Sequence, residues 1–355
     1  MAFMQRSAAS EILRVLDHNL NVDPHFLIGG LGVADPKGVF GTTLGLAEKY
    51  GPSRVLETPT SENAMTGIGV GLAISGYRPL MIHQRLDFFL LAMDQLVNSA
   101  AKWHFMFGGQ QSVPITFRLI TGRGWGQGPT HSQNLHSWFA HIPGLKVVIP
   151  SFAHEIGSLL QASIDDPNPV VFIEDRWIHN MSVEVNDLRI NQKIKLGTAH
   201  ICHPGNDITV VSSGYLSIEA LKAVSNLATH NVSVELIDLR TIKPLDLETI
   251  LQSLKKTRNL VVVDSGHEIA SFGKEIIADV IMSKDVLLNN PPQLVSLPDV
   301  PEPTSHGVIG AFRVSAAKIA MSILNTLSFS APKDLFHKLT PDKEDVPDAT
   351  FTGPF

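Results

Sequence analysis

Short apolar runs alternate with longer amphipathic segments along most of this chain. The runs Phe26–Ile28, Leu80–Ile82 and Val170–Ile173 are rich in residues that favour strands, and each is typical of a strand buried on both faces of a sheet. Between such runs, Glu62–Ser75 and Phe152–Ile164 predict helices. Alternating strands and helices are typical of a mostly parallel sheet covered by helices on both faces. The sequence therefore predicts an α/β fold of doubly wound, mostly parallel sheets.

The alternation of strands and helices stops once and then resumes, which predicts two domains. It is lost between Arg176 and Gly197, and a second α/β set follows. A chain of 355 residues is also too long for one ordinary core of about 150 residues. We therefore expect one domain over 1–185 and a second over 198–328.

Two further segments carry structural predictions. Phe88–Met106 and Val308–Leu327 each read as one helical stretch, because their apolar residues follow a helical period. The last residues, 331–355, contain four prolines and no clear apolar period. We expect them to form an extended tail on a surface.

Composition excludes several classes of protein. The net charge is −6 and the 28 Lys and Arg are scattered, which argues against nucleic acid or an anionic membrane as the main partner. A single cysteine, Cys202, excludes an internal disulfide and suits a reducing cytoplasm. The most apolar stretch, Ala64–Ser75, is shorter than the ~20 residues of a membrane span. The N-terminus reads as an amphipathic helix rather than a signal peptide, so we expect a cytoplasmic protein.

A carboxylate follows one predicted strand at the start of a helix. Pro59 keeps Thr58 extended, and Thr60 or Ser61 can cap the helix, so that Glu62 falls in its first turn. The helix dipole favours a carboxylate there. From the residues alone, Glu62 is either a capping residue or a functional acid.

Two more segments follow apolar strands. Phe88 and Phe89 open a helix after a polar loop, where one of them can stack on a planar ring or both can belong to the core. The segment Ile120–Thr130 places glycine at every second position over seven residues, and His131 follows it as a candidate proton carrier near neutral pH. This loop is not a nucleotide-binding P-loop, because no Gly-Lys-Ser/Thr follows.

Taken in order, these segments resemble the beta chain of the thiamine diphosphate-dependent 2-oxo-acid dehydrogenases of the pyruvate and branched-chain type. The similarity spans roughly residues 10 to 325, and it includes the following stretches: Val55-Leu-Glu-Thr-Pro-Thr-Ser-Glu62, Met93-Asp-Gln-Leu-Val-Asn-Ser-Ala-Ala-Lys102, His131-Ser-Gln133, Ile237-Asp-Leu-Arg-Thr-Ile-Lys-Pro-Leu-Asp246 and Pro298-Asp-Val-Pro-Glu-Pro-Thr-Ser305. The resemblance implies a transketolase-like pyrimidine-binding domain followed by a transketolase C-terminal-like domain.

The resemblance also implies roles for single residues. Glu62 matches the glutamate that hydrogen-bonds a nitrogen of the cofactor's aminopyrimidine ring, and Phe88 matches the aromatic that stacks on this ring. Gln84 is expected among the cofactor-binding residues. His131 matches the histidine that helps to hand the acyl group to its acceptor. The implied reaction is decarboxylation of a 2-oxo acid with transfer of the acyl group to a lipoyl group.

A potassium site made by backbone carbonyls is a further implication of the family. It maps to Ile115, Ser163, Asp166 and Asn168. An ordinary helix-to-strand turn explains the same residues, because carbonyl ligands depend little on side-chain identity.

The chain lacks one part of a complete cofactor site. The Gly-Asp-Gly motif that binds pyrophosphate and magnesium does not occur in it. The resemblance therefore implies an alpha subunit that carries magnesium, an α2β2 assembly with thiamine diphosphate at the interface, and a lipoyl acyltransferase as a possible further partner. The second domain is expected to mediate dimerisation.

The chain departs from the family at two places. It reads Gly29-Gly-Leu-Gly32 where the family has an acidic pair, and its polar loop contains Arg85, which can contact an anionic or hydroxylated substrate or lie on the surface. The segment Gly128-Pro-Thr-His131 is similar to transketolases. Two alternatives stay open: the C-terminal half of a split transketolase-like enzyme that transfers an aldehyde or ketol unit to a carbonyl, and a non-catalytic paralogue that scaffolds an alpha chain.

Overall fold

The chain forms two compact units. The computed structural model describes residues 5–124, 126–184 and 192–332, together with residues 335, 339, 346, 347 and 351. The first unit comprises the chain up to Arg123 and Thr130–Leu196, and the second comprises Gly124–Pro129 and Gly197–Phe351. The tail predicted over 331–355 lies almost entirely outside the described residues.

A parallel sheet forms the core of the first unit. Six of its strands pair in the order β6-β7-β5-β4-β2-β3, all parallel. A separate antiparallel pair joins β1 to β8. The strands of this unit are β1 (Gln5–Ser7), β2 (Phe26–Gly30), β3 (Val55–Glu57), β4 (Arg78–His83), β5 (Thr116–Thr121), β6 (Lys146–Val148), β7 (Val170–Asp175) and β8 (Ser182–Glu184). Parallel strands over a buried core confirm the predicted α/β class.

Helices connect these strands. The first begins after Ser7, whose Oγ accepts a hydrogen bond from the backbone N–H of Ser10 at 3.1 Å, an ordinary N-cap. The helices of this unit are α1 (Ala8–Val22), α2 (Leu46–Tyr50), α3 (Glu62–Ile74), α4 (Leu86–Phe89), α5 (Ala101–Met106), α6 (His136–His141) and α7 (Ala153–Asp165). A short 3₁₀ turn, Arg176–Ile178, follows β7.

The stretch predicted as a helix over Phe88–Met106 is helical throughout, but it is not α-helical throughout. Helix α4 is followed by a 3₁₀ turn over Leu90–Ala92 and by a π turn over Gln95–Ala100 before α5 begins. Ala92, Leu96 and Ala100 are buried at a spacing of four residues. A π turn has more residues per turn than an α-helix. Apolar residues four apart lie on one face in either type of turn, so the apolar pattern does not distinguish the two.

The second unit contains a smaller, mixed sheet. Its strands pair in the order β14-β13-β10-β11-β9, with only β9 antiparallel to its neighbour. The strands of this sheet are β9 (His200–His203), β10 (Ile208–Ser212), β11 (Val234–Asp238), β13 (Leu260–His267) and β14 (Gln293–Leu297). The unit also contains the short strand β12 (Thr241–Lys243), and its helices are α8 (Tyr215–Ala228), α9 (Leu247–Thr257), α10 (Phe272–Ser283), α11 (His306–Phe312) and α12 (Ala316–Thr326).

The helical stretch predicted over Val308–Leu327 is divided into α11 and α12. The break begins at Arg313, and Ser315 caps α12 while the buried carboxylate of Glu219 accepts the N–H of Ala316 at 2.9 Å. The whole stretch, His306–Thr326, is long and apolar enough to cross a membrane, with a mean hydropathy of 1.5. Only 56% of this stretch is buried. Ile319 and Ile323 belong to the core of the second unit.

A fully buried ion pair ties together two central strands of the first unit. Arg118 on β5 donates to Glu174 on β7 through Nε at 2.9 Å and through Nη2, and its Nη1 donates to Thr42 Oγ1 at 2.9 Å. His179 Nε2 lies 3.0 Å from the same carboxylate. Burial alone would raise the pKa of Glu174, but the charge of Arg118 and the hydrogen bonds from its two partners lower it to about 2. Glu174 therefore stays ionised and satisfied inside the sheet.

Replacing Arg118 with Met is expected to lower the free energy of unfolding by about 3–5 kcal/mol, because it leaves a buried carboxylate without its counter-charge. Lys49→Met is the control, since Lys49 pairs with Asp17 at the surface, where ion pairs contribute little to stability. Denaturant unfolding followed by circular dichroism measures both. Equal, small losses in the two variants would contradict the importance of the buried pair.

Candidate active site

A pocket lies where β2, β3 and β4 end at their carboxyl sides. Gly30 on β2 pairs with Glu57 on β3 and with Ile82 on β4, so the residues that follow the three strands are close neighbours. Ligands of open α/β sheets bind at this edge. The residues that line the pocket are Gly30, Leu31, Thr58, Pro59, Thr60, Glu62, Met65, Met81, Ile82, His83, Gln84 and Phe88.

Glu62 is the first residue of α3 and lines this pocket. Ser61 occupies the N-cap position that the sequence allows it, but its side chain makes no capping hydrogen bond. The Glu62 carboxylate is partly exposed and lies where the helix dipole favours a negative charge. Because Glu62 lines a pocket, its carboxylate is available to a ligand. A glutamate that only caps a helix does not require such a position.

The two adjacent phenylalanines of α4 have different environments. Phe88 lines the pocket and is 39% exposed, while Phe89 is fully buried against His83, Phe117 and Phe139. Phe89 is therefore a core residue. Phe88 is the one whose ring is accessible to a planar ligand.

The structure brings Phe88 and His131 together. Their ring centroids lie 5.5 Å apart with the ring planes at 86°, an edge-to-face contact. His131 is exposed, and its Nδ1 lies 3.1 Å from the hydroxyl of Thr130. Glu62, Phe88 and His131 belong to three separate sequence segments. Glu62 and Phe88 line one pocket, and Phe88 contacts His131.

Backbone groups form the part of the pocket that follows β2. The Glu57 carboxylate accepts the N–H groups of Gly32 at 2.6 Å and Ala34 at 2.9 Å and so holds the loop after β2. A Cβ on Gly30 would lie 2.6 Å from the carbonyl oxygen of Ile82. A side chain at Gly30 therefore needs a local rearrangement, and this chain instead presents backbone at that point.

Gln84 contributes to the same wall. Its Nε2 donates to the Leu31 carbonyl at 2.9 Å, which links the end of β4 to the loop after β2. The residue lines the pocket, and one of its two amide N–H groups is used within the protein. Its predicted contact with a cofactor stays a prediction.

His83 is a pocket residue that the sequence analysis did not select. Burial lowers the pKa of its imidazole to about 4, so it is neutral at pH 7. Its Nε2 is shielded from solvent and has no hydrogen-bond partner within the described part of the chain. The sequence contains a signal for this residue, because a histidine directly after an apolar run lies at the edge of the sheet where ligands bind.

Arg85 is not a surface residue. It is only 4% exposed, its Nη1 lies 3.5 Å from the carbonyl of Gly122, and it does not line the pocket. It interacts electrostatically with Asp87 and Asp175. Burial raises the pKa of Asp175 to about 6, although the N–H of Trp177 donates to its carboxylate at 2.8 Å. Arg85 therefore belongs to a buried charge cluster.

The residues predicted for a potassium site lie around the end of α7 and the starts of β5 and β7. The Ile115 carbonyl accepts the N–H of Val170 at 3.0 Å, and the Ser163 carbonyl accepts the Thr116 hydroxyl at 3.2 Å. Asp166 accepts from the Lys146 ammonium and from the N–H of Asn168. These bonds are those of an ordinary turn, so a cation there stays a prediction. No group of three or more His, Cys, Asp or Glu side chains suited to a metal occurs among the residues that the structure describes.

Two family models match this chain. The model described as "Transketolase, pyrimidine binding domain" matches residues 6–179, and the one described as "Transketolase, C-terminal domain" matches residues 197–319. The chain is 39% identical over 290 residues to the mitochondrial pyruvate dehydrogenase E1 component subunit beta-1 of Arabidopsis thaliana, covering 81% of this chain and 80% of the relative. The chain belongs to the pyruvate dehydrogenase E1 beta-subunit family.

Other relatives agree with this membership. The E1 beta subunit of Rickettsia bellii is 37% identical, with 84% of this chain and 92% of the relative covered. The E1 beta subunit of Rhizobium meliloti is 38% identical over 301 residues, and the match covers 84% of this chain and 65% of the length of that relative. The family resemblance inferred from the sequence is confirmed.

A solved structure confirms the fold. The protein described as "Split gene transketolase, inactive beta4 tetramer" has a TM-score of 0.73 to this chain at 16% identity, and the match covers 92% of this chain and 99% of the other. At this identity the likeness concerns the fold alone. The predicted pair of transketolase-type α/β domains agrees with it.

The raised pKa of Asp175 predicts a pH-dependent stability. The folded state holds the proton of this carboxyl up to about pH 6, whereas an unfolded aspartate releases it near pH ~4. The stabilisation is therefore complete below about pH 4 and is lost as the pH rises through about 6. In Asp175→Asn the decline in the free energy of unfolding between these values should be smaller than in the wild type. Denaturant titrations at several pH values measure it.

Asp165→Asn is the control for this experiment. Asp165 is exposed and accepts a hydrogen bond from Gln161 at 2.9 Å. Its replacement should leave the pH dependence unchanged. The same decline in Asp175→Asn as in the wild type would show that Asp175 does not carry a raised pKa.

Proposed function

We propose that this chain is the beta subunit of a thiamine diphosphate-dependent 2-oxo-acid dehydrogenase, which decarboxylates a 2-oxo acid and transfers the acyl group to a lipoyl acceptor. The named relatives are pyruvate dehydrogenase E1 beta subunits, which supports pyruvate or a similar 2-oxo acid as the substrate. The observation that carries the proposal is the pocket that both Glu62 and the exposed ring of Phe88 line.

The pocket suits the aminopyrimidine ring of thiamine diphosphate. Met65, Met81 and Ile82 provide apolar walls, Phe88 provides an accessible aromatic ring, and Glu62 provides a carboxylate at the start of a helix. A planar heteroaromatic ring needs this combination of stacking surface and hydrogen-bonding partner. When bound, thiamine diphosphate supplies a carbon nucleophile and accepts the electron pair that remains when carbon dioxide leaves.

The chain's own residues have distinct tasks in this proposal. The Glu62 carboxylate holds a proton shared with a ring nitrogen of the ligand, and Phe88 orients the ring by stacking. His131 holds or moves a proton at Nε2, because its Nδ1 faces the Thr130 hydroxyl. Its contact with Phe88 places this proton carrier beside the pocket.

An alpha subunit would complete the site. The full sequence contains no Gly-Asp-Gly motif, so we assign the pyrophosphate and magnesium site to an alpha chain in an α2β2 heterotetramer. The names of the relatives, as beta subunits of an E1 component, support such a partner. A lipoyl acyltransferase partner, bound potassium and a cytoplasmic location are parts of the same proposal.

Two alternatives differ from this proposal in their chemistry. A split transketolase-like enzyme would transfer an aldehyde or ketol unit to a carbonyl acceptor. It is favoured only by the segment ending at His131, since the solved transketolase likeness concerns the fold. A scaffolding paralogue would need none of the pocket's polar residues. The set of Glu62, Phe88 and His131 favours an active enzyme over a scaffold.

Glu62→Ala in the assembled α and β chains should lower kcat for release of carbon dioxide at least 100-fold, because it removes a group that handles a proton in the reaction. Release is measured from a panel of 2-oxo acids with an artificial electron acceptor. Glu48→Ala is the matched control, since Glu48 is an exposed glutamate in the first turn of α2. It should keep wild-type activity.

The same assay separates the alternatives. Turnover that needs both chains and reduces the acceptor supports the dehydrogenase. Carbon–carbon bond formation from an added aldehyde, without acceptor reduction, would replace it with the transketolase-like alternative. Unchanged turnover in Glu62→Ala would remove Glu62 from the reaction.

A further inference from the structure

A buried aspartate connects helix α4 to the segment that carries His131. Asp87 is 8% exposed, and its Oδ1 accepts two hydrogen bonds from Gln133: one from the backbone N–H at 3.2 Å and one from Nε2 at 2.8 Å. The two residues are 46 positions apart in the sequence. The carboxylate therefore holds both the backbone and the side chain of the residue two positions after His131.

The neighbouring residue on α4 makes a second connection to the same segment. Phe88 follows Asp87 directly, and its ring meets the His131 ring edge-to-face at 5.5 Å. One turn of helix thus contacts positions 131 and 133, with an aromatic contact at the first and charge-assisted hydrogen bonds at the second. Two contacts from one rigid element determine both the position and the direction of a short segment.

Four glycines precede His131 in the chain. Gly122, Gly124, Gly126 and Gly128 all have positive φ angles, between 69° and 139°. Glycine adopts such conformations readily and leaves the backbone with many alternatives. After the histidine, the segment is bound to α4 where Gln133 donates to Asp87.

We propose that Asp87 is a positioning residue for His131, acting through its two hydrogen bonds to Gln133. This inference rests on the proposed function, in which His131 serves the transfer of the acyl group. Loss of the Asp87 carboxylate frees the 131–133 segment and lets the imidazole leave the ring of Phe88. The step that uses His131 then slows, while the step that uses Glu62 does not depend on this contact.

The experiment compares Asp87→Ala, Asp87→Asn and Gln133→Ala in the β chain assembled with its α chain. Asparagine retains an Oδ1 that accepts both hydrogen bonds, whereas alanine accepts neither, and Gln133→Ala removes only the side-chain bond. Asp17→Ala is the matched control, because Asp17 accepts hydrogen bonds from Lys49 and Tyr50 on the surface of the same unit. Decarboxylation with an artificial acceptor and acyl transfer to a lipoyl acceptor are measured separately.

We expect Asp87→Ala to lower kcat for acyl transfer about tenfold or more, since small displacements of a reacting group have effects of this size. Decarboxylation should change less than about twofold. Asp87→Asn should restore most of the transfer, Gln133→Ala should be intermediate, and Asp17→Ala should match the wild type. Undiminished transfer in Asp87→Ala, or an equal loss of both half-reactions in Asp87→Ala and Asp87→Asn, would overturn the proposal.

A second readout is independent of the reaction. In spectra of the full β chain labelled at histidine carbons, the His131 resonances, assigned with His131→Asn, should shift in Asp87→Ala and return towards wild-type positions in Asp87→Asn. Unshifted His131 resonances in Asp87→Ala would overturn the positioning role. If the wild-type assembly releases no carbon dioxide, the proposed function fails, and the resonances still decide whether Asp87 positions His131.

Discussion

The buried pair of Arg118 and Glu174 is the interaction on which the first unit most depends. It joins β5 and β7 inside the sheet, and Thr42 and His179 complete its hydrogen bonds. A buried charge without a partner is costly, so this pair admits only arrangements in which the two strands keep their register. Strand β5 leads into the glycine-rich segment before His131. Strand β7 ends at Asp175, which interacts electrostatically with Arg85.

The pocket is lined by apolar side chains and a small number of polar groups. Met65, Met81 and Phe88 offer shape and stacking, and Glu62 offers the acid. His83 adds a neutral imidazole whose Nε2 is unpartnered among the described residues. Apolar surroundings strengthen each hydrogen bond that a ligand makes to such groups, because the local dielectric is low. After β2, this chain presents the backbone around Gly30, held by Glu57.

Much of this arrangement could be predicted from local patterns. Apolar runs predicted the parallel strands, and motif resemblance led to Glu62, Phe88 and His131, because these signals lie within short stretches of sequence. Other features depend on contacts between distant residues. The bonds from Asp87 to Gln133 and the burial of Arg85 follow from tertiary packing, which periodicity does not encode. The π turn after α4 and the break at Arg313 could not be predicted for a related reason. An apolar period of about four residues is also typical of a regular, unbroken helix.

The central claim is that this chain supplies the pyrimidine half of a thiamine diphosphate site that an alpha subunit completes. Calorimetric titration of thiamine diphosphate with magnesium into the β chain, the α chain and their assembly tests it most directly. We predict tight binding to the assembly alone, weakened by Phe88→Ala because the stacking surface is lost. Tight binding to the β chain by itself, or none to an assembled α and β pair, would contradict the account.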